Sequence, residues 1–207
     1  DWSSDVCSSD LFIWANITNK WNEVRDKTIK DLKFPFDNYR AGQRELAVSV
    51  YKTIVEGKKM FVQAPTGIGK TISTLFPSVK AVGEGHTSKI FYLTAKTITR
   101  QVAEDAFAKM KANGLKFKTI TITAKDKVCF SKGSGCNPEQ CTFAKGHFDR
   151  VNEAILDILK NENTFSREII EVYSNKHNVC PFEFSLDLTL WADCEIGRAS
   201  CRERVYG

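Results

Sequence analysis

Met60-Phe61-Val62-Gln63-Ala64-Pro65-Thr66-Gly67-Ile68-Gly69-Lys70-Thr71 joins a short apolar stretch to a helix-forming run, and its reading decides the fold. Met60-Phe61-Val62 is expected to be a strand and Thr71 to Val82 a helix, with a phosphate-gripping loop between them. Gly67 and Gly69 let the backbone curl, so that N–H groups along Ala64, Thr66, Gly67 and Gly69 face phosphate oxygens. Lys70 would then reach the β and γ phosphates of ATP, and the Thr71 hydroxyl would complete a Mg²⁺ shell. Ala64 stands where the strictest form of this pattern has Gly. The bland alternative is a Gly-rich turn that merely joins strand to helix; it does not explain why Gly-Lys-Thr, a strand and a helix coincide.

Outward from the loop, Leu46, Ala47, Val50, Tyr51, Ile54 and Val55 recur at helical spacing over Ala41 to Val55, which ends at Glu56-Gly57. Ile90 to Leu93 reads as a buried strand. Ile98, Val102, Ala106, Phe107 and Met110 then share a helical face up to the stop at Gly114, and Phe117 to Thr123 reads as a third strand. Strands alternating with helices predict a parallel sheet covered on both faces, with ligands at the strand C-terminal ends. Phe12 to Lys33, with Trp14 and Trp21, reads as an entry helix or linker.

The two flanks have a separate character. Cys7-Ser8-Ser9-Asp10-Leu11 and Glu195-Ile196-Gly197-Arg198-Ala199 can be encoded by reverse-complementary words, so residues 1–11 and 195–207 resemble translated sequencing-library adapters and are set aside. The whole chain carries 30 basic and 25 acidic side chains; without the three Arg and five acidic residues of the flanks the balance is 27 against 20, near +7. That excess suits an anionic partner. No apolar run is long enough to span a bilayer and no signal peptide is evident, so the expected compartment is the cytoplasm, where thiols stay reduced. The remaining length suits one domain with an insertion and reads as a fragment.

After Thr123 the pattern changes. Cys129, Cys136 and Cys141 gather around Gly133-Ser134-Gly135 and Asn137-Pro138, and Cys180 follows much later, before Pro181. Between them, Phe148, Val151, Ile155, Leu156 and Leu159 line one expected helix, and Phe165, Ile169, Val172 and Tyr173 line another, with Asn163 or Thr164 as its N-cap. So small an inserted piece needs a staple. A reducing compartment argues against disulfides, and the wide cysteine spacing is unlike the close pairs of most zinc sites. An iron–sulfur cube takes four thiolates at irregular spacing. Zinc, a cluster and free packed thiols all stay open on spacing alone. Cys194 stands apart as an ordinary thiol. His147 and His177 flank the cysteines and read as supporting or exposed residues.

Taken together these segments resemble the DinG branch of the XPD-like iron–sulfur DNA helicases, superfamily 2 motors. Phe34-Pro35-Phe36 leading to Arg40-Ala41-Gly42-Gln43 looks like that family's adenine-reading segment, with Gln43 on the base. Ala64 to Thr71 is similar to its first motor motif, Ala included. Tyr92-Leu93-Thr94-Ala95-Lys96-Thr97 with Arg100-Gln101 looks like the motif that touches the DNA backbone. The resemblance implies a P-loop, RecA-like α/β fold with a helical insertion in which Cys129, Cys136, Cys141 and Cys180 hold a [4Fe-4S] cluster. It implies Lys70 and Thr71 as catalytic residues, and Thr94, Lys96, Thr97 and Arg100 on nucleic acid. It also implies ATP and Mg²⁺ as cofactors, single-stranded or forked DNA as partner, and 5′ to 3′ unwinding in repair or replication. Lys125, Lys127, Lys132, Lys145 and Arg150, interleaved with Phe130, Phe143, His147 and Phe148, are further candidates for a strand path.

One family feature is missing. No Asp-Glu-Ala-His follows the cysteines, so the carboxylate that would hold Mg²⁺ and orient attacking water is not in the sequence, and ATP hydrolysis by this chain alone is expected to be negligible. The expected organisation is an entry segment over 12–38, a partial ATP-binding domain over 39–123, an iron–sulfur insertion over 124–185 and the start of a further strand over 186–194. A zinc-bearing nucleic-acid-binding module and a P-loop ATPase without helicase activity are the alternatives.

Overall fold

The computed structural model describes residues 8–95, 97–131 and 136–198, and for residues 8–13 and 97 the backbone only. Lys96 and the Gly133-Ser134-Gly135 turn therefore lie outside the described residues, as does the flank beyond Arg198. The chain forms two compact units, residues 1–87 with 109–116, and residues 88–108 with 117–207.

In the first unit, α1 (Ser8–Asp31), α2 (Gln43–Val55) and α3 (Lys70–Gly83) bury one another's apolar faces, with Ile29, Leu46, Val50, Leu75 and Val79 inside. The helical periodicity read over 41–55 and 71–82 is realised within two residues at each end. Gly83 permits the approach of α3 to α1, since a Cβ there would lie 2.8 Å from Ile29 Cβ. Lys80 donates to the carbonyls of Ile29 (2.6 Å) and Lys30 (3.1 Å), placing a cation on the C-terminal end of α1, where the orphan carbonyls carry partial negative charge. Burial holds the Lys80 pKa below its ordinary value.

The expected strand at Met60-Phe61-Val62 does not form. Those residues are extended without ladder bonds, and Phe61 is 96% exposed. A strand exists only where a neighbour satisfies its N–H and C=O groups, and all four described strands belong to the other unit.

That second unit is built on a parallel sheet in the order β1-β4-β2-β3: β1 (Ile90–Thr94), β2 (Thr119–Thr121), β3 (Thr164–Phe165) and β4 (Cys194–Arg198). Helix α4 (Thr97–Ala112) follows β1, and its end, from Lys109, is counted with the first unit. After β2 come α5 (Lys125–Val128), α6 (His147–Asn161), α7 (Arg167–His177) and α8 (Pro181–Thr189). Phe107, Phe117, Phe165 and Phe184 are fully buried, each worth about 1.5–3 kcal/mol relative to exposure. An α/β architecture with a parallel sheet fits a RecA-like fold.

Three sequence expectations are corrected here. The cysteine-bearing stretch is not purely helical, because β3 adds a strand to the sheet, and α7 is capped by Ser166, whose Oγ accepts from Ile169 N (3.4 Å), rather than by Asn163 or Thr164. The run 186–194 is not a strand from its start: α8 continues to Thr189 and the strand begins only at Cys194. A short apolar run carries no period that separates helix from strand. Third, residues 195–198, set aside as flank, form most of β4 between β1 and β2. Glu195 is buried there and pairs with Lys89 at 2.6 Å, a charge where a central parallel strand ordinarily carries an apolar side chain.

Candidate functional site

The loop Ala64–Gly69 owes its path to two left-handed glycines, Gly67 (φ 86°) and Gly69 (φ 82°), the latter capping α3. Lys70 opens the helix, and its Nζ donates to the carbonyls of Ala64 and Pro65, both at 2.9 Å, so the ammonium lies across the mouth of the loop. Thr71 follows in the first turn of α3. The N–H groups of the first turn of α3, next to the Lys70 cation, are suited to bind an anion.

Gln43 is seated beneath this loop. It is 3% exposed, and its Oε1 accepts from Arg40 N (3.0 Å) while its own N–H donates to Arg40 O (3.0 Å). Arg40 in turn donates through Nη1 to the Gly67 carbonyl. Arg40 is thus a loop-closing residue, a role the sequence did not assign to it although it stood in the segment leading to Gln43. Beside it, Phe34 stacks on Tyr39 (4.0 Å between centroids) and meets Phe76 of α3 edge-on (5.4 Å).

In the other unit, Thr94 ends β1 and is buried, and Arg100 lies in the first turns of α4, 3.8 Å from Glu104, which also accepts from Thr121 Oγ1 at 2.6 Å. The Thr97 side chain, like Lys96, lies outside the described residues.

The four cysteines occupy distinct places: Cys129 at the C-cap of α5, Cys136 exposed on the following turn, Cys141 buried, and Cys180 at the N-cap of α8. The carbonyl of Cys141 accepts from Ala144 N (3.1 Å) and that of Cys180 from Phe184 N (2.9 Å). Ser131 Oγ lies 3.3 Å from Cys141 Sγ, and chiefly through this contact the Cys141 thiol is held below its ordinary pKa. Burial pushes the Cys180 thiol up, and Cys129 is close enough to push in the same direction. Lys125 sits 5.5 Å from the Phe182 ring centroid, and the nearby Cys136 first, with Cys180 a lesser influence, holds its pKa above the ordinary value.

Cys136 and Cys180 are therefore electrostatic neighbours of Lys125, and Cys129 of Cys180. Even so, among the described residues no three metal-binding side chains converge as a ready ligand group, and the expected four-thiol centre is not assembled. The chemistry of the donor set fits an iron–sulfur cube: four thiols, of which Cys141 is biased toward the thiolate by its Ser131 contact.

Of the remaining expected residues, Phe130 and Phe143 pack together (4.9 Å), Phe148 is 68% exposed, and Cys194 is fully buried. Lys118, which drew no attention as sequence, is buried, with Nζ donating to the carbonyls of Leu159 and Glu162 (both 2.9 Å) at the end of α6.

Residues 44–142 match the DEAD/DEAH box helicase family, a span that takes in the loop, β1 and three of the four cysteines. A Methanocaldococcus jannaschii protein described as a probable ATP-dependent helicase is 30% identical over 124 residues, 58% of this chain and 18% of its own length. These likenesses support a superfamily 2 helicase. The helicase-like segment thus begins at the residue after Gln43 and contains the Gly67–Thr71 turn that opens α3, while Cys180 lies beyond it. The chain spans less than a fifth of that relative. No helix among the described residues is long and apolar enough to cross a membrane.

Proposed function

We propose that this chain is the nucleotide-gripping portion of an ATP-dependent DNA helicase of the DinG branch, coupling ATP hydrolysis to 5′ to 3′ translocation on single-stranded or forked DNA in repair or replication. The observation that carries the reading is the loop itself: two left-handed glycines, then Lys70 at the first position of α3, inside the segment that matches the helicase family.

Ala64, Thr66, Gly67 and Gly69 cradle the phosphates, Lys70 neutralises charge on the β and γ oxygens, and Thr71 completes the Mg²⁺ shell. Gln43 anchors the loop from below and reads adenine. Thr94, Lys96, Thr97 and Arg100 hold the DNA backbone. Cys129, Cys136, Cys141 and Cys180 hold a [4Fe-4S] cluster, which when bound supplies a rigid, four-thiolate pin for the helices α5 to α8. The four-thiol donor set and the Ser131 contact on Cys141 support this assignment. The protein works in the cytoplasm. Residues 1–11 and 195–207 are adapter-derived, a reading that rests on their reverse-complementary coding and stands against the place of residues 195–198 in β4.

Anaerobic reconstitution with ferrous iron and sulfide, together with binding of a labelled ATP analogue, tests this. A brown chain carrying four irons that binds the analogue with Mg²⁺ is expected; a colourless chain with stoichiometric zinc would favour the zinc module and overturn the cluster.

A further inference from the structure

His147 is the first residue of α6, is 2% exposed, and belongs to no step of the proposed mechanism. Its Nδ1 accepts from the backbone N–H of Cys180 at 3.2 Å. Its Nε2 is buried without a hydrogen-bond partner, with Asp187 Oδ2 of α8 3.5 Å away. An acceptor at Nδ1 puts the proton of the neutral ring on Nε2, so the ring spans from the N-cap of α8 toward its second turn.

One turn further along α6, Arg150 reaches the same stretch of chain. Its Nη2 donates to Asn178 O (2.7 Å) and Lys145 O (2.6 Å), and its Nε donates to Asn178 O (3.1 Å). Asn178 is the left-handed C-cap of α7 (φ 53°). Gly146 makes room for this, being itself left-handed (φ 66°), with a Cβ there falling 2.6 Å from Arg150 Nη1.

Cys141 and Cys180 are separated by the whole excursion through α6 and α7. His147 lies just after Cys141 in sequence, and its contact with Cys180 N closes that excursion at its base. Without such closure the loop entropy of residues 142–179 works against bringing the last thiol to the other three. We propose that the first turn of α6 is a clamp in which His147 and Arg150 act as positioning residues for Cys180, holding its backbone so that its sulfur faces the Cys129–Cys141 segment. This rests on the reading of Cys180 as a cluster ligand. Residues that orient ligands in this way are worth about 10- to 100-fold in affinity for the bound group.

The test uses the full chain, reconstituted anaerobically, as wild type, His147→Leu, His147→Gln, Arg150→Ala and, as benchmark, Cys180→Ser; Val172→Ala, on an exposed face of α7, is the control. Circular dichroism checks that each is folded. His147→Leu is expected to reproduce the benchmark's three-iron electron-paramagnetic signal after mild oxidation and to lose iron to a chelator about 10-fold faster than wild type. His147→Gln, whose Oε1 can accept from Cys180 N, is expected to restore the four-iron form, and Arg150→Ala to fall between.

Wild-type iron content, spectrum and chelator rate in both His147→Leu and Arg150→Ala would overturn the clamp. If wild type itself takes up no iron, the cluster reading fails, and the clamp is then judged on Cys180 alkylation by iodoacetamide. Faster labelling in His147→Leu than in wild type supports it, and equal rates overturn it.

Discussion

The buried amide of Gln43 and the α-carbon of Gly69 are in such close register that a methyl group on Gly69 would lie 2.5 Å from Gln43 Nε2. The phosphate loop is therefore shaped from below by the residue expected to read the base, and the two functions are mechanically joined. Gly69→Ala incurs both the left-handed backbone penalty and this overlap, and should destabilise the first unit by about 2 kcal/mol or more. Gly67→Ala, with similar φ but open space around its Cβ, should cost about 1 kcal/mol. Denaturant unfolding of both variants measures the difference; equal losses would mean that Gln43 does not constrain the loop.

Lys70 is exposed and bonds to the loop carbonyls of Ala64 and Pro65. Lys70→Ala should leave stability within about 0.5 kcal/mol of wild type. It should weaken Mg²⁺–ATP analogue binding by about 10- to 100-fold, the worth of a charge-assisted contact. Titration with a fluorescent analogue reads this directly, and unchanged affinity would remove Lys70 from the phosphate site.

Lys118 ties α6 to the sheet and titrates in an unusual range. Burial pushes its pKa down to about 8, against the opposing pull of Asp193 and Glu162. Since the unfolded lysine titrates near its ordinary 10.5, the unfolded chain binds more protons between those values, and stability from this group rises as pH rises from about 8 to about 10.5. Relative to Lys118→Met, wild type should gain about 2 kcal/mol between pH 7 and pH 10. Parallel unfolding curves across that window would contradict the burial of a charged Nζ.

Asp157 on α6 accepts from Lys176 (2.5 Å) and contacts His177 Nε2 (2.7 Å), both on α7. Lys176 first, then His177, hold its carboxyl below the usual range. A depressed carboxylate stabilises the fold above its unfolded pKa and loses that contribution as pH falls through the native value. Asp157→Asn should therefore cost under about 1 kcal/mol near neutrality, the pair being partly exposed, and nothing at pH ~2. Thermal melts from pH 2 to 7 should show the two proteins converging in acid.

Helix existence was legible wherever an apolar period ran long enough, at α2, α3, α4, α6 and α7, but the face of α7 was not: Ile170 is buried there while Val172, read as part of the apolar face, is exposed. The Gly-x-Gly-Lys-Thr turn was legible for a different reason. Only glycine tolerates those backbone angles cheaply, so the residue type reports the conformation without any partner.

Strands were less legible. Met60-Phe61-Val62 has the composition of a strand but no ladder partner in its unit, and Cys194–Arg198 has no strand signature yet lies mid-sheet between β1 and β2. Pairing belongs to two segments at once, and a single segment cannot encode it. For the same reason the sequence offered His147 only as supporting or exposed and Arg40 only as part of a motif, and Lys118 not at all, since each acts on a backbone group distant along the chain or hidden by the turn between.

Local chemistry, then, settled which residues could curl around a phosphate and which could ligate a metal. Folding alone settled which of them meet, because burial and hydrogen-bond closure depend on where the chain returns. It brings Gln43 under Gly69 and Cys180 against His147, while among the described residues the four thiols do not form one assembled ligand group.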